Sequence, residues 1–185
     1  MKVRNIPFSP PDITEKEINN VVEVLQSGWI TTGPKTKEFE RQLAEYMGTE
    51  KVVCLNSATA ALELVLRVLG IGEGDEVIVP AMTYTASCSV IYHVGAKAVI
   101  VDIQKDGHEM DYEALENAIT EKTKAVIPVD LAGIPCDYDK IFEVVNAKKS
   151  LFKANSEYQE KLGRIAVVAD GAHALGSVYK GVKVG

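Results

Sequence analysis

The sequence predicts an α/β protein: a three-layer fold in which a mostly parallel sheet is flanked by helices. Two observations carry this. Short, almost wholly apolar runs rich in β-branched residues (Glu76–Val79, Ala98–Ile103, Ala125–Val129, Ile165–Ala169) suit strands buried on both faces. Amphipathic helical stretches separate them, and such connections are crossovers rather than hairpins.

The elements follow in order. Thr14 and Glu17 have capping-box spacing, and Ile18, Val21, Val22 and Leu25 then keep helical periodicity. Ser27–Pro34 is a loop punctuated by two glycines and a proline. A helix from about Thr36 to Met47 carries Phe39, Leu43 and Tyr46 on one face and ends at Gly48. Lys51–Leu55 reads as a strand. Thr59–Leu69 reads as a helix with Leu62, Val65, Leu66 and Leu69 inward. Strand Glu76–Val79 leads to helix Thr85–Val94, and strand Ala98–Ile103 to helix Asp111–Ile119, with Asp111 as N-cap. Strand Ala125–Val129 leads to helix Tyr138–Ala147. Lys148–Arg164 is polar and reads as an inserted surface turn or helix extension. Ile165–Ala169 is a last buried strand, and Ser177–Val184, with Gly181 at its tip, is a small hairpin.

Composition narrows the classes of function. The 185 residues are 46% hydrophobic and 25% charged, enough to bury a core. The net charge of −6 and scattered Lys and Arg argue against nucleic acid as a partner. No apolar run has the length of a membrane span, and the first residues lack a signal-peptide core. Cys54, Cys88 and Cys136 lie far apart without pairing or metal spacing, so reduced thiols and a cytoplasmic location are expected. There is no G-x-G-x-x-G, no P-loop, no G-x-S-x-G and no set of ligands at metal spacing.

An open parallel sheet places ligand chemistry just beyond its strand ends. Asn56-Ser57-Ala58-Thr59 opens a helix with small and hydroxyl residues. It can cradle an anion on free amides, or Ser57 can simply cap the helix. Tyr84 can stack on a flat ligand or pack with its hydroxyl bonded. Asp170 can hold a cationic heterocyclic nitrogen or a metal, or cap its turn; His173, three residues on, is equally open. Asp102 and Asp130 also end strands; Asp102 reads as a turn residue, while Asp130 can face the site.

Together the segments SGWITTGPKTKEFE, LNSATAALELVLRVLGIGEGDEVIVPAMTYTAS, AVIVDI, TKAVIPVDLAGIPCD and VVADGAHALGSVYKG resemble, in family order, the DegT/DnrJ/EryC1/StrS sugar aminotransferases. These are pyridoxal 5'-phosphate (PLP) enzymes of aspartate aminotransferase-like fold type I. The resemblance implies that Ser57, Ala58 and Thr59 hold the cofactor phosphate. It implies that Tyr84 stacks on the pyridine ring, that Asp170 pairs with the protonated ring nitrogen, and that His173 lies near the phenolic oxygen. Trp29, Thr31 and Thr32, in the Gly28–Gly33 loop, would face a nucleotide-linked keto-sugar, often across a homodimer interface. The amino donor would be glutamate.

The resemblance further implies residues 1–34 as an N-terminal arm, helix and substrate-facing loop, and 35–185 as the incomplete PLP-binding large domain, without the family's small C-terminal domain. The family's Schiff-base lysine falls beyond the hairpin, so no catalytic residue is assigned here. Lys180 and Lys183 match non-catalytic hairpin positions. The expectation is therefore the large-domain portion of a sugar aminotransferase, inactive by itself. A sugar dehydratase on the same scaffold, in which a histidine replaces that lysine, and a non-catalytic large-domain fragment are the alternatives.

Overall fold

The computed structural model describes residues 5–185, which divide into two compact units between Cys54 and Leu55.

The first unit holds two helices. α1 (Glu15–Ser27) starts at a capping box: the Thr14 hydroxyl accepts from Lys16 N–H, and the Glu17 carboxylate accepts from Thr14 N–H at 2.6 Å. α2 (Pro34–Met47) starts with Pro34 at its first turn and ends at left-handed Gly48. Val21, Val24 and Leu25 of α1 face Phe39 of α2 across a groove of about 560 Å³, and no α1 side chain is buried. Lys51–Leu55, expected as a strand, is irregular, and Val53 is exposed. No strand among the described residues pairs with it. The Cys54 N–H instead donates to the Glu40 carboxylate at 2.8 Å.

In the second unit, α3 (Ala58–Val68), β1 (Glu76–Pro80), α4 (Thr85–His93), β2 (Lys97–Val101), α5 (Tyr112–Ala118), β3 (Thr123–Val126), α6 (Tyr138–Ala147) and β4 (Ala166–Val167) alternate as the sequence predicts, with a further helix, α7 (Glu157–Leu162), between α6 and β4. The four strands are all parallel, in the order β2-β1-β3-β4. A short antiparallel hairpin, β5 (Val178–Tyr179) and β6 (Val182–Lys183), follows.

Strand periodicity divides the core into two layers. Val77, Val79, Ala125, Ile127 and Ala166 pack with Leu62 and Leu66 of α3 and Val90 and Ile91 of α4. Ile78 and Val126 point the other way, against Leu115 of α5 and Ile141 and Val145 of α6. β1 is buried at all five positions, the reason it reads as a continuous apolar run. Val65, expected inward, is 41% exposed and lines a cavity instead.

The polar stretch 148–164 is more than a surface insertion. Gln159 of α7 is buried, and its amide donates to the Leu69 carbonyl at 2.9 Å, where Ser156 Oγ also donates at 2.7 Å. Asn155 Nδ2 donates to the buried Asp75 carboxylate at 2.8 Å. The segment thus ties down the end of α3 with polar contacts, which apolar periodicity does not register.

Two stability predictions follow from this packing. Gln159→Ala removes a buried donor to a shared carbonyl and should cost about 1–3 kcal/mol. A shift in urea midpoint equivalent to under about 0.5 kcal/mol, the level of ordinary surface changes, would contradict the anchoring role. Glu76, nearly buried, is held below the usual carboxylate range, first by the Thr120 hydroxyl at 2.7 Å and then by Lys97 at 3.0 Å. A carboxyl acidified by folding stabilises fully above its unfolded pKa and loses that contribution as pH falls through the lower folded value. Glu76→Gln should therefore flatten the decline of the thermal midpoint between about pH 6 and about pH 3; an unchanged slope would contradict it.

Candidate functional site

The parallel pairing of β3 with β4 continues past both strands. Val129 bridges Asp170, the Asp170 N–H donates to the Pro128 carbonyl at 2.8 Å, and the Asp130 N–H donates to the Asp170 carbonyl at 3.1 Å. Ala125 pairs with Ala166, so the register is constant to the strand ends. Side chains alternate along a strand, and Asp130 and Asp170 therefore leave the sheet on opposite faces.

Asp130 goes to the α5/α6 face. Its carboxylate accepts from the Tyr138 hydroxyl at 2.8 Å and from the Cys136 N–H at 2.9 Å. Burial, together with Asp130, raises the proton affinity of the Tyr138 phenol and pushes the Cys136 thiol up to about 12. Asp130 is thus committed to the loop before α6, although the residue also borders the site. Cys136 stays a protonated thiol and is no nucleophile. Asp102, read as a turn residue, accepts from the Ile103 N–H at 2.8 Å.

Asp170 goes to the α3/α4 face and is 8% exposed. Its Oδ2 accepts from the fully buried Ser87 hydroxyl of α4 at 2.6 Å, and its Oδ1 from the Ala172 N–H at 3.2 Å. Among the described residues no Lys, Arg or His nitrogen pairs with it. A buried carboxylate with neutral donors only is suited to take up a cationic hydrogen-bond donor.

Space for one adjoins it. A small cavity of about 30 Å³ is lined by Thr83, Tyr84, Asp130, Asp170 and His173. On the other side a mostly apolar hollow of about 280 Å³ runs from Asp170 and Ala172 to Ala58, Ala61 and Val65 of α3. Ser57 caps α3, its Oγ accepting from the Ala60 N–H at 3.1 Å. The Ala58 and Thr59 N–H groups have no protein acceptor among the described residues. Such a helix end attracts an anion. Ala58 lines the hollow; Ser57 and Thr59 flank it along the chain without lining it.

Tyr84 is the N-cap residue of α4 and is 77% exposed, so it is not the packed tyrosine of the structural alternative. His173 Nδ1 accepts from the Ala132 N–H at 3.3 Å, which leaves the N–H of the neutral ring on Nε2. Ala132 holds a left-handed backbone (φ 56) to offer that donor, and Gly133 (φ 78) follows. A Cβ at Gly133 would come within 3.2 Å of the His173 carbonyl.

Trp29, Thr31 and Thr32 lie together in the first unit, where with Ile30 they line a cavity of about 800 Å³ between α1 and α2. The Trp29 indole N–H donates to the Thr32 carbonyl at 3.1 Å, and the ring lies over Gly33, where a Cβ would fall 2.3 Å from Nε1. The loop is thereby fixed by its own aromatic residue.

Ser87 was not singled out from the sequence. The discernible signal is its position four residues after Thr83 and three after Tyr84, in the first turn after a strand. Of the late lysines, Lys180 pairs with Asp139 and sits 5.2 Å from the Tyr179 ring centroid, which favours its protonated form. A protonated amine is no nucleophile.

A family model for the DegT/DnrJ/EryC1/StrS aminotransferase family matches residues 11–185. UDP-4-amino-4-deoxy-L-arabinose--oxoglutarate aminotransferase of Shewanella sediminis is 43% identical over 97% of this chain and 42% of its own length. Spr1654 of Streptococcus pneumoniae, designated a sugar aminotransferase and solved in a PMP form, is 69% identical. It covers 98% of this chain and 46% of its own, with a TM-score of 0.97. A GDP-4-keto-6-deoxymannose-3-dehydratase structure is 25% identical over 98% of this chain and 45% of its own, with a TM-score of 0.84. The chain thus spans less than half the length of these relatives. By the family match over nearly its whole length, it belongs to the DegT/DnrJ/EryC1/StrS aminotransferase family.

Proposed function

We propose that this chain is the cofactor-holding portion of a PLP-dependent aminotransferase that moves an amino group from glutamate to a nucleotide-linked keto-sugar. The observation that carries the reading is Asp170: a buried carboxylate at the junction of two cavities, fixed by two neutral donors and with no cationic partner among the described residues. A protonated pyridine nitrogen supplies the missing charge. The free amides of Ala58 and Thr59 at the start of α3, with the Ser57 and Thr59 hydroxyls, suit a phosphate. Tyr84 offers an exposed ring for stacking.

When bound, PLP supplies an electron sink for carbanionic chemistry. The residues of this chain bind and orient it. Asp170 would keep the ring nitrogen protonated, Tyr84 would stack on the ring, and His173 would offer its Nε2–H to the phenolic oxygen. Trp29, Thr31 and Thr32 are the proposed sugar-nucleotide residues. No lysine of this chain is assigned to the covalent step, so the chain is proposed to be inactive by itself. The large apolar side chains left exposed, among them Ile18 and Leu25 of α1 and Ile100 of edge strand β2, support self-association, proposed as a homodimer. The free thiols of Cys54, Cys88 and Cys136 fit a reducing compartment, proposed to be the cytoplasm; no described helix is long and apolar enough to cross a membrane.

The likeness to a sugar 3-dehydratase supports a second reading, dehydration on the same scaffold. In a product of the relatives' full length, mass spectrometry of the sugar nucleotide separates the two. A gained amino group supports transamination, and loss of water without amination supports dehydration.

Two outcomes test the reading on the chain itself. Pyridoxamine phosphate should bind the 185-residue chain, and Asp170→Asn should weaken binding at least about tenfold, the scale of one charge-assisted hydrogen bond. Absence of binding, or equal binding by the variant, would contradict it. Glutamate and a keto-sugar nucleotide should show no turnover with this chain and PLP, and measurable turnover would overturn the claim that no residue here makes the covalent bond.

A further inference from the structure

We propose that Ser87, backed by Thr83, is a positioning residue that sets the Asp170 carboxylate for a cationic ring nitrogen; this rests on the cofactor reading above. Ser87 is fully buried on α4, and its Oγ lies 2.6 Å from Asp170 Oδ2 and 2.6 Å from Thr83 Oγ1. A third neighbour, the Tyr84 carbonyl, is 3.4 Å away.

The serine has one hydroxyl hydrogen. The charged carboxylate oxygen is the nearer and stronger acceptor than the carbonyl, so the hydrogen goes to Asp170. The Thr83 hydroxyl, which cannot take that same hydrogen, donates to Ser87 Oγ. Two hydroxyls thus run in series from the wall of the small cavity to the carboxylate, all pointing the same way.

This chain of donors fixes geometry. Oδ2 is tied back to α4, and Oδ1, among the described residues, is tied only to the Ala172 N–H at 3.2 Å, with a lone pair left for a further donor. Without Ser87 the carboxylate keeps the weaker tie alone and is free to turn about its last torsion, a soft one for aspartate. Ser87 also reaches the other wall: its N–H donates to the Tyr84 carbonyl at 3.2 Å, within the turn that presents the Tyr84 ring. The main chain at position 87 thus closes the turn behind Tyr84, while the Ser87 hydroxyl sets the carboxylate.

The test uses the chain with pyridoxamine phosphate carrying ¹⁵N at the ring nitrogen. Affinity and the ring ¹⁵N shift are read together, with urea midpoints measured in parallel. Wild type should show a protonated ring nitrogen. Ser87→Ala should bind about tenfold more weakly and move the shift toward the unprotonated value, and Ser87→Thr, which keeps a hydroxyl, should restore both. Thr83→Val, at a half-buried position, should give a smaller change of the same sign. It decides the matter if Ser87→Ala fails to fold. Wild-type shift and affinity in folded Ser87→Ala, or in Thr83→Val where Ser87→Ala does not fold, would overturn the role of Ser87 while leaving Asp170 in place. A folded Ser87→Thr that behaves like Ser87→Ala would do the same. No binding, or an unprotonated nitrogen, in wild type would overturn the cofactor reading and this inference together.

Discussion

The constant register between the end of β3 and the end of β4 is the constraint on which the site depends. Val129 and Asp170 are paired, so Asp170 shares the α3/α4 face with Ala166 and Ala125, while Asp130 shares the α5/α6 face with Val126. Two aspartates that end neighbouring strands are thereby given separate work. Asp130 meets a phenol and an amide and fastens the loop before α6; Asp170 meets two cavities and a serine. A one-residue slip of β4 against β3 would turn Asp170 to the other face and leave the cavities without its carboxylate.

From this placement follows the electrostatic character of the site. An isolated ionised carboxylate in an apolar surrounding is costly, and two neutral donors offset only part of that cost. The remaining demand is for positive charge, which no described side chain supplies. In the proposed reading a cationic heterocycle answers it, and the open amides at the start of α3 would hold the anionic group of the same ligand beside a mostly apolar hollow. The three features call for a flat, zwitterionic phosphate ester. The chain belongs to its family by overall similarity, and the local chemistry is compatible with the cofactor of that family.

Much of this was legible in the sequence because parallel strands buried on both faces leave apolar runs and helices leave caps. The Thr14 box, the Asp111 cap, the bounds of α6 and the hairpin around Gly181 were read closely. Asp170 and His173 stood out by following a buried strand. What failed, failed for physical reasons. Lys51–Leu55 has the composition of a strand, but a strand exists only with a pairing partner, and none occurs among the described residues. The 148–164 stretch is held by Gln159, Ser156 and Asn155, whose hydrogen bonds carry no hydrophobic period. Ser87 is a small residue inside a helix, and only the fold brings it 83 positions along the chain to Asp170. The direction of Asp130 was decidable by counting in steps of two from Val126.

The central claim is that Asp170 binds the ring nitrogen of the cofactor as a cation. The most direct measurement compares, on the wild-type chain, pyridoxamine phosphate with its 1-deaza analogue, in which carbon replaces that nitrogen. The account predicts that the deaza compound binds at least about tenfold more weakly, since it leaves a buried carboxylate without its partner. Equal affinity of the two compounds would contradict it.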